Sequence, residues 1–176
     1  MNRTALHDTR SVSQGSKNKL RLWLRLLSTA RGVEAELRER FRVQFETTLS
    51  RFDVMAALAR HEDGLKMSAL SGLLRVSNGN VTVVVQRLEK DGLLIRAPLV
   101  GDKRAMLVRL SERGKIAFIE QAREHEKWIT ELLCDLPEDD ATLIEQGLSN
   151  VAFKTNVKVA EEEICLLYTS PSPRDT

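Results

Sequence analysis

The chain has few of the residues that build covalent frameworks or cofactor pockets. Among its 176 residues it holds two cysteines, four prolines and 5% aromatic side chains. Cys134 and Cys165 have neither the number nor the spacing of a disulfide framework or a zinc site. No cysteine precedes Cys134, which argues against an oxidant sensor built on an N-terminal thiol. The three histidines are scattered without metal-ligand spacing, so metal sensing is not predicted either.

Long apolar runs and the motifs of catalysis are also missing. The longest apolar runs are a few residues, so no membrane span is expected. Residues 1–16 lack the apolar core of a secretory signal, and a cytoplasmic protein is predicted. No Gly-rich phosphate loop, nucleophile elbow or His-Glu metal motif occurs, so the sequence predicts neither an enzyme nor a bound cofactor. With 42% hydrophobic and 30% charged residues, the chain can nevertheless bury a core.

Charge is distributed unevenly along the chain. Residues 66–115 contain ten Lys and Arg against four Asp and Glu, a net charge of +6, whereas the whole chain carries only +2. Residues 1–65 carry +4 and residues 116–176 carry −8. Positive charge is therefore concentrated in one segment, as expected where a phosphate backbone lies. The acidic C-terminal third would face away from DNA and would serve assembly.

The basic segment shows an ordered series of local patterns. Helical spacing covers 68–75 and 80–90, with a turn at 76–79 between them. Strand-like stretches at 93–97 and 105–110 enclose a loop at 98–104. This order predicts a winged helix-turn-helix, which places one helix in the DNA major groove and a β-loop beside it. The predicted fold class is mainly α with a small β-wing.

Helical patterns flank this unit on both sides. A helix is predicted from Lys17 to about Phe45, and a second begins near Ser50 as N-cap and ends at 61–64. Ser111 is expected to cap a long helix reaching Cys134 or Asp135, and a last helix starts at 136–138. Apolar residues are expected to line the long helix (Ile116, Ile119, Ala122, Ile129, Leu132 and Leu133) and to form a buried stripe on the last (Leu143, Gly147, Leu148, Val151 and Thr155). Such stripes predict a helical dimer interface.

The predicted organisation follows from these elements. It comprises a flexible arm (1–16), an N-terminal dimerisation helix (17–48), a winged helix-turn-helix DNA-binding lobe (49–111) and C-terminal dimerisation helices (112–164). Residues 165–176 break the helical periodicity and resemble translated adapter sequence. The alternative for this last segment is a genuine disordered tail.

The helix at 80–90 is the candidate for reading bases. Val81, Val84, Val85 and Leu88 recur at helical spacing and predict its buried side. The opposite side carries groups suited to base edges, because Asn and Gln pair with adenine, Arg with guanine, and an apolar side chain with the thymine methyl. An ordinary amphipathic helix with a solvated polar face is the alternative. The predicted DNA-contacting residues outside the wing are Arg75, Ser77, Asn78, Asn80, Thr82, Val83, Gln86, Arg87 and Lys90.

The basic loop is the candidate wing. Arg104 is predicted to enter a minor groove, whose narrow width and negative potential attract arginine. Lys103 adds charge, and Asp102 is expected to orient a neighbouring arginine through a charge-assisted hydrogen bond. A plain hairpin turn with Asp at a turn position is the alternative.

Three segments together resemble the MarR family of bacterial transcription regulators. They are 91–96 (Asp-Gly-Leu-Leu-Ile-Arg), 102–105 (Asp-Lys-Arg-Ala) and 110–114 (Leu-Ser-Glu-Arg-Gly), within a likeness that covers about residues 17–160. The resemblance implies a homodimer of winged-helix subunits that binds a pseudo-palindromic operator in double-stranded DNA. It also implies that Arg104 is the wing arginine, Asp102 its partner, and Asn80, Thr82 and Gln86 recognition-helix positions.

A narrower resemblance concerns the effector. Segments 20–27, 51–55, 77–82 and 125–129 are similar to members that sense hydroxycinnamoyl-CoA thioesters and repress genes of aromatic-acid catabolism. Trp23 beside Arg21 and Arg25 would suit an aromatic acid or a CoA phosphate, and His61 and His125 are further candidates. The alternatives are that Trp23 is a core residue, that the arginines are solvated or touch DNA, and that the histidines are merely satisfied.

These observations predict a homodimeric repressor that a small aromatic effector, an aromatic acid or its CoA thioester, releases from its operator. The alternative is an architectural protein that coats DNA without sequence preference. The two differ in the ratio of specific to nonspecific affinity, which an operator binder should raise to ~10³ or more.

Overall fold

The computed structural model describes residues 5–74, 77–99 and 102–151, with side chains from residue 15 onward apart from those of 78, 99 and 102–105. Six helices and three strands occupy these ranges. In chain order they are α1 (Ala5–Phe45), α2 (Leu49–Ala59), β1 (Leu65–Lys66), α3 (Met67–Leu74), α4 (Asn78–Lys90), β2 (Leu94–Leu99), β3 (Asp102–Leu110), α5 (Glu112–Leu132) and α6 (Glu138–Ser149). None of the helices in these ranges has an apolar stretch that could cross a lipid bilayer.

The helix-turn-helix and the sheet share one hydrophobic core. Val54, Met55 and Leu58 of α2 pack there with Leu70 of α3. The core is completed by the buried side of α4 and by strand residues (Val81, Val85, Leu88, Leu94, Val108 and Leu110). Phe52 of α2 is buried as well. This core fixes α4 from behind and leaves its other side open.

A second cluster joins α1, α2 and α5. The Phe41 ring lies 4.8 Å from the Phe52 ring and meets the Trp128 indole edge-on at 5.1 Å. Edge-to-face and offset aromatic pairs stabilise beyond their buried area. At the surface, Arg40 of α1 donates to Glu131 of α5 over 2.6 Å. The C-terminal half of α1 is thus tied to α2 and to α5.

The sheet is antiparallel in the order β1-β3-β2. Leu94 pairs with Leu110, and Ala97 pairs with Leu107. The short β1 strand adds Leu65 opposite Val108. It follows Gly64, whose φ of +92° is in the left-handed region, where glycine is favoured over other residues. The sequence predicted the two wing strands, and β1 was missed.

Several element boundaries differ from the predictions. Helix α1 begins at Ala5 and so includes most of the segment assigned to a flexible arm. Helix α4 begins at Asn78 rather than Asn80. The N-cap of α2 is Thr48 instead of Ser50, and its side chain accepts from the Arg51 amide. Strand β3 begins at Asp102, so the predicted loop is shorter. The division of the chain into arm, lobe and dimerisation helices stays a prediction.

The predicted apolar stripes of the C-terminal helices are only partly buried within one chain: Ala122, Ile129 and Leu132 of α5 pack against the second cluster. Ile116 and Ile119 of α5 are exposed, and so are Leu143 and Leu148 of α6. The side of α5 that is buried carries Gly114, Gln121, His125 and Trp128. Val151 is exposed as well, and Thr155 lies outside the described residues. The described apolar side chains of α6 therefore face solvent in the single subunit, and their burial in a dimer interface stays a prediction.

Candidate nucleic-acid interface

Helix α4 has one buried and one exposed side, as its spacing predicts. Val81, Val85 and Leu88 are almost completely buried, and Val84 is partly buried against the same core. Residues at i, i+4 and i+7 share one face of a helix. The opposite face must therefore point outward, and the buried side makes it rigid.

The exposed face carries side chains that can contact base edges. Asn80, Gln86, Arg87 and Lys90 are exposed, and Thr82 is half-buried. Val83 is 48% exposed, which is unfavourable for an isolated valine in water but suits contact with a thymine methyl. Gly79 at the start of the face has open space around it, so its backbone can approach a partner closely.

The start of α4 is open toward the same side. Ser77 occupies the N-cap position as predicted, but its side chain makes no capping hydrogen bond. Its backbone carbonyl accepts from the Asn80 and Val81 amides at 3.0 and 3.2 Å. The first amides of a helix are otherwise unsatisfied and favour anions. A phosphate group is therefore an appropriate neighbour for this helix end.

The structure describes the two strands of the wing up to Leu99 and from Asp102 onward. Strands β2 and β3 pair from Leu94 with Leu110 out to Leu99 with Asp102. The backbones of Asp102, Lys103 and Arg104 lie in β3, so Arg104 sits two residues into the strand. Their side chains lie outside the described residues, as do Arg75 and the side chain of Asn78. The roles assigned to these positions stay predictions.

The back of α4 is held by ion pairs that sequence reasoning missed. Arg51, at the start of α2, donates to the carboxylate of Asp91 over 2.6 Å, and Asp91 is the C-cap of α4. This hydrogen bond lowers the pKa of the Asp91 carboxyl below its ordinary value. Arg96 of β2 donates to both oxygens of Glu89. Arg51 thus links α4 to α2, and Arg96 links α4 to the wing strand β2. Of these two arginines, only Arg96 lies in the basic segment 66–115.

The predicted effector residues do not converge within one subunit. Arg21, Trp23 and Arg25 are exposed on the N-terminal half of α1, and Trp23 is 57% exposed. Trp23 therefore lies outside the described intrachain core. At 1.5 Å per residue it is about 27 Å along α1 from Phe41. His61 is half-buried just after α2. Any site that combines these residues would need a second subunit or a change of conformation.

His125 is part of the aromatic cluster between α1, α2 and α5. Its ring stacks on Phe52 with centroids 4.9 Å apart, and burial lowers its pKa. One turn away on α5, the buried Oε1 of Gln121 has no hydrogen-bond partner in the part of the chain that the structure describes. Gln121 was not predicted as a site residue, because a polar residue among solvent-facing helical positions gives no sequence signal.

Three further observations concern titratable and metal-binding groups in the subunit. Loss of hydration around the Asp53 carboxyl raises its pKa to about 6; Glu34 adds to the rise and Arg38 opposes it. Within the described ranges no three His, Cys, Asp or Glu side chains converge as a metal site. Cys134 is an exposed free thiol.

Comparisons with known proteins agree with this geometry. The sequence model of the MarR family matches residues 47–106. A crystal structure of a MarR family transcriptional regulator from Silicibacter pomeroyi is 34% identical, with a TM-score of 0.65 over 76% of this chain and 92% of that one. The structure of FabT from Streptococcus pneumoniae in complex with DNA is 20% identical, with a TM-score of 0.63 over 75% of this chain and 93% of that one; at that identity it shows the fold alone.

A curated relative gives a weaker match. The transcriptional regulator PecS of Dickeya dadantii is 26% identical over 110 residues, which are 61% of this chain and 66% of PecS. The match thus spans slightly less than two thirds of that relative. PecS and the Silicibacter pomeroyi protein are both described as transcriptional regulators.

Proposed function

The chain belongs to the MarR family of winged-helix, DNA-binding transcription regulators, and from that premise we propose that it is a homodimeric repressor released by a small aromatic effector. Proteins of this family bind DNA as dimers. The proposed operator is pseudo-palindromic, because a two-fold dimer places two equal recognition helices on the duplex. The regulator would act in the cytoplasm, where that DNA lies.

The observation that carries the proposal is the pair of faces on α4. One face is formed by the buried residues Val81, Val85 and Leu88. Gln86 and Arg87 lie on the exposed face. Base readout needs such a rigid mount, since donors and acceptors must meet base edges within hydrogen-bonding distance. Gln86 would pair with an adenine, and Val83 would contact a thymine methyl.

The backbone contacts would come from the surrounding positions. Arg75, Ser77, Asn78 and Lys90 are proposed to hold phosphates and so fix the register of α4 on the duplex. At the wing, Arg104 would enter the minor groove, with Lys103 beside it and Asp102 orienting the guanidinium. The net charge of +6 over residues 66–115 supports this arrangement.

The dimer interface is proposed from the apolar side chains that one subunit leaves exposed. Trp23 with Leu20 and Leu24 on α1 and Ile119 on α5 are all more than half exposed, and Leu143 and Leu148 add an apolar edge on α6. Large exposed apolar areas on a single subunit mark association surfaces. Association of the terminal helices would bury them and set the distance between the two copies of α4.

The effector is proposed to be an aromatic acid or its CoA thioester, as in the members that bind hydroxycinnamoyl-CoA. Trp23 offers an aromatic plate, and Arg21 and Arg25 offer positive charge one turn or less away. His125 and, one turn away on α5, Gln121 would offer the effector further polar contacts next to aromatic rings. By population shift, the bound effector would favour a spacing of the two α4 helices that no longer matches successive major grooves.

A fluorescence-anisotropy titration tests the proposal. The protein, cut after Ile164, is titrated on DNA from upstream of its own gene and on scrambled DNA of equal length and composition. We expect selectivity of ~10³ or more, and release by one member of a panel of aromatic acids and their CoA thioesters. Selective binding that no panel member affects would remove the proposed effector. Equal binding to both duplexes would favour the architectural alternative.

A further inference from the structure

The end of α4 forms a compact turn with its own hydrogen bonds. The Gly92 amide donates to the Glu89 carbonyl at 3.0 Å, and the Leu93 amide donates to the Leu88 carbonyl at 2.9 Å. Gly92 has a φ of +72°, a conformation that ends helices and favours glycine. The turn therefore follows α4 rigidly, and whatever holds the turn also holds the helix.

Ser111 holds this turn and starts α5 with the same side chain. Its hydroxyl donates to the Gly92 carbonyl at 2.7 Å and accepts from the Gly114 amide at 2.9 Å. Its backbone amide donates to the Leu93 carbonyl at 3.0 Å. A hydroxyl has one proton to donate, and here that proton is committed to the turn. An N-cap needs only the accepting bond, so the donating bond joins two elements.

Gly114 brings the first turn of α5 directly onto the same backbone. A Cβ at this position would lie 2.0 Å from the Leu93 carbonyl oxygen, far inside van der Waals contact. No side chain separates the two elements. We define Gly92, Leu93, Ser111 and Gly114 as the α4–α5 joint.

From this geometry we propose that Ser111 is a positioning residue that couples α4 to α5 and thereby sets which operator half-site spacing the dimer accepts. Ser111 touches no DNA in this account, since it lies at the base of the wing hairpin; it acts through Gly92. Because α5 belongs to the proposed dimer interface, a firm joint converts the dimer geometry into a fixed distance between the two copies of α4. This inference rests on the proposed dimeric operator binder.

The other supports of α4 restrain it less directly. Arg51 with Asp91 and Arg96 with Glu89 are ion pairs with partly exposed partners, and such pairs contribute little in water. They connect α4 to α2 and to β2, not to α5. Of the described hydrogen bonds at the end of α4, those of the joint lead to the long C-terminal helix. Arg113 of α5 adds a charge near the Asp91 carboxyl, and Ala117 and Phe118 pack on the shared core, but neither contact fixes a direction as a hydrogen bond does.

The test compares Ser111→Ala with two other variants. Ser111→Thr keeps a hydroxyl and should restore the behaviour of the wild type. Thr48→Ala is the matched control: Thr48 caps α2 by accepting from the Arg51 amide at 3.3 Å, and within the described residues its side chain makes no hydrogen bond to another element. Both alanine variants lose a helix cap, but only Ser111→Ala loosens the joint.

Binding is measured on an operator selected from random duplexes and on the same operator with one base pair inserted between its half-sites. The insertion rotates one half-site by about 35° relative to the other. We expect Ser111→Ala to reduce the wild-type penalty for this insertion by about fivefold, the factor for one hydrogen bond of ordinary net strength. Thr48→Ala and Ser111→Thr should keep the full penalty. An unchanged penalty in Ser111→Ala would show that the residue is only a cap.

A second readout needs no DNA. A spin label at Arg87→Cys, with both native cysteines changed to Ser, reports the distance between the two α4 helices of a dimer. Ser111→Ala should broaden the distance distribution, and Ser111→Thr should narrow it again. Equal widths of the distance distribution in all variants would contradict the proposed role of Ser111, even if the protein binds its operator selectively. If the wild type shows no operator preference, the proposed function is contradicted. The distance distributions of the variants would still show whether Ser111 holds α4 to α5.

Discussion

Gly114→Ala is the substitution for which the structure gives the clearest magnitude. The added Cβ would meet the Leu93 carbonyl oxygen at 2.0 Å, whereas ordinary contact begins at 3.4 Å. Helix α5 and the turn must therefore separate by about 1.4 Å. That movement would stretch the two hydrogen bonds from Ser111 to the turn, at the Gly92 and Leu93 carbonyls, beyond about 4 Å, where they no longer count as bonds.

The expected loss of stability follows from these displacements. Two lost hydrogen bonds contribute about 1 kcal/mol each, and forced overpacking adds about 1–3 kcal/mol. Alanine regains up to about 1 kcal/mol through its higher helix propensity. The free energy of unfolding should fall by about 2–5 kcal/mol, which lowers Tm by about 10 °C for a chain of this size.

Thermal unfolding followed by circular dichroism, at one protomer concentration, measures this change. Gly72→Ala in α3 is the control, because a Cβ there has nothing within 4 Å and should stabilise the helix by up to about 1 kcal/mol. A Gly114→Ala variant that is as stable as Gly72→Ala would refute the close approach of α5 to the turn.

Two further predictions concern titratable groups. Burial holds the pKa of His125 below its ordinary value of 6.5, so as pH falls through that value the unfolded chain binds the proton first and the folded state loses stability. The Tm advantage of the wild type over His125→Phe should thus shrink between pH 7.5 and 5.5, and a constant difference would contradict the buried neutral ring. Separately, Arg51→Met should return the lowered pKa of the Asp91 carboxyl toward its ordinary 3.8 in an NMR titration; an unchanged pKa would mean that the ion pair is absent in solution.

The sequence predicted the DNA-binding lobe well because its signals are local. The spacing of Val81, Val85 and Leu88 is enough to predict the buried face of α4, and the exposed face then follows from helix geometry. Ser111 indicates the start of α5 because serine is a favoured N-cap residue. The two-residue strand β1 was missed because two residues carry no periodicity.

Contacts between distant segments could not be predicted in this way. Arg51 and Asp91 are 40 residues apart, and nothing in either segment indicates the other. The hydroxyl of Ser111 was expected to cap α5, but its bond to Gly92 depends on how the hairpin returns to the end of α4. Tertiary packing decides such pairs, and a single sequence does not encode them as patterns.

The predicted apolar side of α5 is divided between two surfaces. Ala122, Ile129 and Leu132 pack against the second cluster of the subunit, whereas Ile116 and Ile119 are exposed. A helix with two partners needs two inner sides, and only one of them is satisfied within a single chain. The exposed isoleucines are consistent with the proposed dimer, which stays a prediction.

Base readout by α4 is the central claim, and Gln86→Ala tests it most directly. Every position of the selected operator is replaced in turn by the other three base pairs, and the affinities of wild type and variant are compared. We expect Gln86→Ala to lose the base preference of the wild type at one position, repeated symmetrically in both half-sites. Discrimination between base pairs at that position should fall by about 1–3 kcal/mol, and the preferences at the other positions should be unchanged. A uniform loss of affinity at all positions would contradict direct readout by this helix.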